Sequence, residues 1–210
     1  DVPFFLDFDG TLHPIWTLKK NARGREIAEA YTGPWLKEAP TLATLLMPYA
    51  DRIEIVISSW WAFTRSLDEI RALLPLALAT RVVDSIWIPE LVGSQEHRSA
   101  STRYACIHAW LKHRRPGYSG PWLALDDDGD SFPEDQRKHL VFARETLANL
   151  SVQNELAARL SQTFAEMGTA TDFPCRCHGL SVPNISDTCG VCETPGAPSG
   201  PKNSSFSSPA

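Results

Sequence analysis

Apolar residues occur in short blocks, each closed by polar or turn-forming residues. Val2 to Phe8 is an almost unbroken apolar run that stops at acidic residues and Gly10. Such a run suits a strand buried on both faces of a parallel sheet. Thr41 to Tyr49 has helical spacing, with Leu42, Leu45, Leu46 and Tyr49 on one side. The β-branched run Ile53 to Ile57 predicts a second strand, ending in Ser58-Ser59. Ser66 to Leu74 reads as a helix, and Arg81 to Ile88 contains a third strand. Ser101 to His113 predicts a helix with Ile107, Trp110 and Leu111 facing inward. Trp122 to Leu125 is a short strand running into Asp126-Asp127-Asp128-Gly129-Asp130. His139 to Phe142 is a last short strand, and Asn154 to Met167 a last helix.

Strands alternating with helices imply an α/β fold, a mostly parallel sheet covered by helices on both faces. Ligands bind such sheets beyond the carboxyl ends of the strands. The polar residues at those ends are Asp7, Asp9, Ser58, Asp126 and Asp127. From about Gly168 the pattern breaks: Pro, Gly, Ser, Thr and Cys dominate and apolar periodicity stops. The organisation expected is a main domain over residues 1–167, a Cys/His-rich segment over 168–193 and a disordered tail over 194–210.

Composition narrows the function classes. With 43% hydrophobic and 21% charged residues, the chain has the balance of a globular protein. A net charge of -5 argues against general affinity for duplex nucleic acid. The cluster Lys112-His113-Arg114-Arg115 reads as a solvated helix end. No apolar stretch approaches the roughly 18 residues of a membrane span, and no basic-then-apolar leader precedes the first strand. The chain opens on Asp1 rather than Met, and reads as processed or incomplete at that end. The first 170 residues hold one cysteine, Cys106, which fits a reducing, cytoplasmic setting.

Asp7-Phe8-Asp9-Gly10-Thr11 carries the most chemistry. Where the strand ends, Gly10 lets the backbone turn, and Asp7 and Asp9 can converge on one small volume. Two carboxylates so close call for a cation between them, and hard oxygen ligands favour magnesium. An aspartate beside magnesium is a credible nucleophile toward a phosphoryl group. Ser58 could donate to a phosphoryl oxygen. Arg103, ahead of the acidic strand, is the best-placed cation, with Arg98 and Lys112 weaker candidates. The run after Leu125 could supply metal ligands. Alone, each piece reads as a turn, a cap or a surface group. An EF-hand is excluded, because its spacing and terminal Glu are absent. What distinguishes the set is its order: acidic pair, hydroxyl, basic residue, acidic run.

In that order the sequence resembles the haloacid dehalogenase (HAD) superfamily over residues 2 to about 165. FLDFDGTLHP is similar to its first motif, VISSWW to its second, Arg103 to its third and LALDDD to its fourth. The opening, the Ser-Ser-Trp element and Leu-Asp-Asp further resemble HAD domains of "Swiss army knife" RNA-repair proteins. The resemblance implies a HAD-like Rossmannoid three-layer fold and an Mg2+-dependent phosphatase. It implies Asp7 as nucleophile and Asp9 as general acid, then base. Ser58 and Arg103 would bind the phosphoryl group, Arg103 standing where the family more often has Lys. Asp126 and Asp127 would hold magnesium with the Asp7 carboxylate and the Asp9 main-chain carbonyl; Asp128 and Asp130 are alternatives that spacing leaves open. By the same resemblance, a second acid two residues after the nucleophile implies phosphate ester hydrolysis rather than carbon–halogen cleavage, with phosphotransfer still open.

About 45 residues separate the first and second motifs. Leu12 to Pro40 suffices for a flap but not for a large cap domain, and by resemblance HAD enzymes without large caps tend to act on macromolecules. Trp16, Trp35, Trp60 and Trp61 fall near the expected mouth, where one or more could stack a base or simply pack against the sheet. A polynucleotide phosphate end is the expected substrate. A nucleotide or sugar phosphate, or a non-catalytic nucleic-acid adaptor with a zinc tail, are the alternatives. In the tail, Cys175, His178, Cys189 and Cys192 have the pattern C-x2-H-x10-C-x2-C and could complete a Zn2+ site, with Cys177 an alternative ligand. Oligomeric state is not legible.

Overall fold

The computed structural model describes residues 1–21, 23–91 and 102–169. In chain order the strands are β1 (Val2–Leu6), β2 (Trp16–Lys20), β3 (Glu26–Ala30), β4 (Ile53–Ile57), β5 (Val82–Ser85), β6 (Leu123–Asp126) and β7 (Leu140–Phe142). The helices are α1 (Ala39–Leu46), α2 (Leu67–Leu73), α3 (Leu76–Ala79), α4 (Arg103–Arg114) and α5 (Leu150–Thr169), with short 3-10 turns between. Five strands form one parallel sheet in the order β5-β4-β1-β6-β7, and β2 and β3 form a separate antiparallel hairpin.

Because side chains alternate across a strand, the apolar runs serve two faces at once. Phe4, Leu6, Ile55, Ile57, Leu123 and Leu125 join a core with Leu42 and Leu46 of α1, Ile70 of α2 and Leu156 and Leu160 of α5. Phe5, Val56 and Ala124 face the other way, onto Ile107 and Trp110 of α4. Phe5 meets the edges of Trp110 and Trp122, with ring centroids 5.4 and 5.7 Å apart. The predicted three-layer α/β architecture is the one observed.

Helix α4 is anchored at both ends. The Thr102 hydroxyl caps it by accepting from the Ala105 N–H at 3.2 Å. Further along, the Trp110 indole N–H donates to Asp84 Oδ2 at 2.9 Å, tying α4 to β5. Arg103 is therefore fixed at the first turn, close to the carboxyl ends of the strands. Lys112 lies nine residues on, about 13 Å along the helix axis.

Element boundaries moved where burial did not mark them. Helix α5 starts at Leu150 rather than Asn154, because Asn149 Oδ1 accepts from the Ser151 N–H at 2.9 Å while Leu150 itself stays exposed. The hairpin β2–β3 lies within the predicted flap. Its residues are exposed but for Thr17, so no buried alternation announced it. Its turn is local: the Asn21 side chain accepts from the N–H of Arg23 and of Arg25, both at 3.0 Å, and Gly24 takes φ 71°. Among the described residues, no helix is long and apolar enough to cross a membrane.

Candidate active site

The register of the three central strands brings the site together. Leu6 pairs with Ile57 on one side and Leu125 on the other. One residue past that rank stand Asp7, Ser58 and Asp126, side by side at the carboxyl edge. Continued alternation turns them to the α4 face of the sheet, and Arg103 reaches them from there. The guanidinium bridges two strands: Nη2 lies 3.2 Å from Asp7 Oδ1, and Nε lies 2.9 Å from Asp126 Oδ2. Asp7 is 2% exposed and Asp126 fully buried.

Asp7, Asp126 and Asp127 each offer a carboxylate oxygen to one spot, the three atoms lying within 4.8 Å of one another. At an effective dielectric of about 20, each such pair repels by about 3 kcal/mol. Three carboxylates face one guanidinium, so the cluster holds an excess of negative charge. Burial, and then the neighbouring Asp126, hold Asp7 well above the usual carboxylate range, against the pull of Arg103. Burial likewise pushes Asp126 up to about 6, with Arg103 again opposing. Asp127 is raised mainly by burial too. A divalent cation would relieve all three, and an all-oxygen donor set suits magnesium.

Gly10 makes the cluster possible. It takes φ +76°, and a Cβ there would lie 1.9 Å from Asp127 Oδ2. Asp128 and Asp130 play other parts. Asp128 Oδ1 accepts from the Ser131 N–H at 3.2 Å and caps a 3-10 turn, while Asp130 lines a hollow of about 340 Å³ with Arg103, Trp60 and Phe63.

Among the described residues, three buried side-chain polar atoms have no hydrogen-bond partner: Ser58 Oγ, Arg103 Nε and Asp126 Oδ2. The last two are close enough to attract as ions, but the N–H does not point along the contact. Buried polar atoms are nearly always paired. These three, gathered on two central strands and the helix facing them, present donors and an acceptor of the kind that an anionic oxygen group and a cation would satisfy.

Asp9 stands apart. Its carboxylate is held on both oxygens, Oδ2 by the Trp61 indole N–H at 2.9 Å and Oδ1 by His13 Nε2 at 3.1 Å. His13 Nδ1 accepts from the Leu36 N–H at 3.5 Å, which assigns the ring proton to Nε2. Burial lowers the His13 pKa, though Asp9 opposes it, and a neutral ring donating to Asp9 is the consistent state. Thr11 Oγ1 donates to Asp7 Oδ2 at 3.5 Å. His13 and Thr11 sit inside the first motif and Trp61 inside the second, yet sequence alone gave no signal that they serve the acids.

The sequence model for the HAD domain in Swiss Army Knife RNA repair proteins matches residues 4–148, more than half of the chain. The chain belongs to this family. No curated protein matches it. Within this HAD domain the structure brings Asp7, Ser58, Arg103, Asp126 and Asp127 together. Asp9 flanks them, its carboxylate turned to His13 and Trp61. Lys112 lines a separate cleft of about 960 Å³ beside His139 and Trp122, at the opposite end of β6 and β7. Arg98 lies outside the described residues. So do Cys175, Cys177, His178, Cys189 and Cys192, and the proposed segments beyond residue 169.

Two outcomes follow. The raised carboxyls favour the protonated cluster, so metal-free stability falls as pH rises from the usual carboxylate range through about 6. Millimolar magnesium should therefore raise the melting temperature more at pH 7.5 than at pH 5, and less in Asp127→Asn than in the wild type; calorimetry checks both. Gly10→Ala should cost about 1–3 kcal/mol in urea unfolding and, by displacing Asp127, remove most of the magnesium-dependent rise.

Proposed function

We propose that this HAD domain is a magnesium-dependent phosphomonoester hydrolase that forms an aspartyl-phosphate on Asp7, with polynucleotide phosphate ends as its substrate. The observation that carries this reading is the trio of unpartnered buried atoms on Ser58, Arg103 and Asp126, within a cluster that also brings the carboxylates of Asp7 and Asp127 to the carboxyl edge of the sheet. Ser58 Oγ and the Arg103 guanidinium bind phosphoryl oxygens. An Asp7 carboxylate oxygen attacks phosphorus while the bond to the leaving oxygen breaks, and Asp9, which enters this step as the carboxylic acid, gives that oxygen its proton. In the second half, water loses a proton to Asp9 as its oxygen attacks phosphorus, which frees the Asp7 carboxylate and inorganic phosphate. Asp7, Asp126, Asp127 and the Asp9 main-chain carbonyl would hold magnesium, which would supply positive charge to the reacting phosphoryl group.

His13 and Trp61 fit the role of positioning groups. Two N–H donors hold the Asp9 carboxylate away from the acid cluster, ready to meet a leaving oxygen rather than to bind metal with its side chain. Support for a macromolecular substrate comes from residues 12–40, where the described residues form a two-stranded hairpin and a loop but no cap domain. The RNA-repair setting in the family's description agrees with it.

Asp7→Asn should keep the fold by circular dichroism and lose turnover by a factor on the order of a thousand or more. The assay is a panel of 3′- and 5′-phosphorylated oligonucleotides, phosphopeptides and small phosphate esters, with and without magnesium. Wild-type-like turnover in that variant removes the proposed nucleophile. Turnover of small esters alone ends the polynucleotide reading. Trp61→Phe keeps a ring against Phe8 and removes the donor to Asp9. It should lower kcat about ten- to a hundredfold on alkyl phosphates, and much less on p-nitrophenyl phosphate, whose leaving group needs no proton.

A further inference from the structure

We propose that Trp35, backed by Trp61 and Arg65, forms a leaving-group subsite that stacks the nucleobase attached to the scissile phosphate. This deepens, and rests on, the phosphohydrolase reading. In that chemistry Asp9 must lie beside the leaving oxygen, so whatever packs around Asp9 also borders the leaving group. The Asp9 carboxylate is bonded to the Trp61 indole. Trp35 packs edge-on against Trp61, with centroids 5.3 Å apart. The Arg65 guanidinium lies over both rings, 4.9 Å from the Trp61 centroid and 5.5 Å from that of Trp35.

Trp35 is 57% exposed although it sits in an ordered aromatic cluster. A large ring left in water against the indole that holds Asp9 is an unusual use of Trp, and one that suits a stacking platform. The loop that presents it is built rather than loose. The Tyr31 hydroxyl donates to the Pro34 carbonyl at 3.3 Å, and a Cβ at Gly33 would overlap the Tyr31 ring. Leu36 takes φ 53°, a left-handed conformation that costs a branched residue energy. That strain puts its N–H on His13, the second group holding Asp9. Residues 35 and 36 thus touch both supports of the acid. A base on Trp35 seats the leaving oxygen next to Asp9.

The other exposed indoles do not have this connection. Trp60 packs with Phe63 and lines the hollow beside Arg103, on the phosphoryl side. Trp16 belongs to the exposed hairpin. A planar base suits Trp35 on two grounds: aromatic stacking is indifferent to base identity, and the Arg65 cation next to the ring favours the negative charge a nucleotide carries.

The test compares adenosine 3′- and 5′-monophosphates with ribose 5-phosphate on the whole chain with magnesium. The wild type should favour at least one adenosine phosphate in kcat/KM by about tenfold or more. Trp35→Ala should bring that ratio close to one, and Trp35→Phe should restore most of it. An unchanged ratio in Trp35→Ala, or equal loss on all three esters, overturns the subsite. Binding of the same ligands to Asp7→Asn, followed by tryptophan fluorescence, separates the two levels of inference. If neither these esters nor 3′- and 5′-phosphorylated oligonucleotides are turned over, yet adenosine phosphates bind tenfold tighter than ribose 5-phosphate and lose this on Trp35→Ala, the hydrolase reading fails and the base site stands. Equal binding of base-bearing and base-free ligands, with Asp7-dependent turnover, sinks the subsite and leaves the hydrolase.

Discussion

Everything at the carboxyl edge of the sheet depends on one buried ionic contact, the Arg103 guanidinium spanning Asp7 and Asp126. A carboxylate removed from water is costly unless it is paired. Here two carboxylates at the ends of adjacent strands share one planar cation from a helix on the facing layer. Arginine suits the place better than lysine, because its fork can reach two partners and keep its charge when buried. The pairing is incomplete: the guanidinium does not offset three acids, and it leaves Arg103 Nε and Asp126 Oδ2 without directed hydrogen bonds. That shortfall is a local cost to stability and, on the proposed reading, the source of affinity for a metal and a phosphoryl group.

The scaffold's contribution is precision of rank. Parallel pairing of β4, β1 and β6 sets Ser58, Asp7 and Asp126 at one level, and alternation turns them toward the layer that holds Arg103. The capped first turn of α4 and the Trp110–Asp84 bond hold that layer in register with the sheet. Gly10 then lets the chain fold back closely enough for Asp127 to enter the cluster. A site assembled from strand ends on a packed sheet has little freedom to loosen, which is what electrostatic preorganisation requires.

Asp9 shows how one short motif supplies two unlike carboxylates. Asp7 lies among acids, buried and raised in pKa. Asp9, two residues on, lies past the strand end and accepts from a neutral imidazole and an indole. On the proposed reading, separate surroundings permit separate work, covalent attack by one and proton transfer by the other. The donors come from Trp61, far along the chain, and from His13, whose own orientation is fixed by the Leu36 N–H.

Local sequence determined the strands of the main sheet and most of its helices, because apolar runs and helical spacing report burial directly. It also marked Asp7, Ser58, Arg103 and the acidic run as one constellation, since their order along alternating strands and helices constrains where they meet. Three things were decided only in three dimensions. The hairpin β2–β3 buries almost nothing, so no periodicity betrayed it. The assignment of Asp126 and Asp127 to the cluster, with Asp128 as a cap, depends on how a turn after β6 closes against Gly10. The indole that holds Asp9 comes from Trp61, and the Leu36 N–H that orients His13 from another distant segment; no spacing rule encodes their approach. Periodicity records which residues leave water; the direction in which a buried carboxylate points is settled by the packing around it.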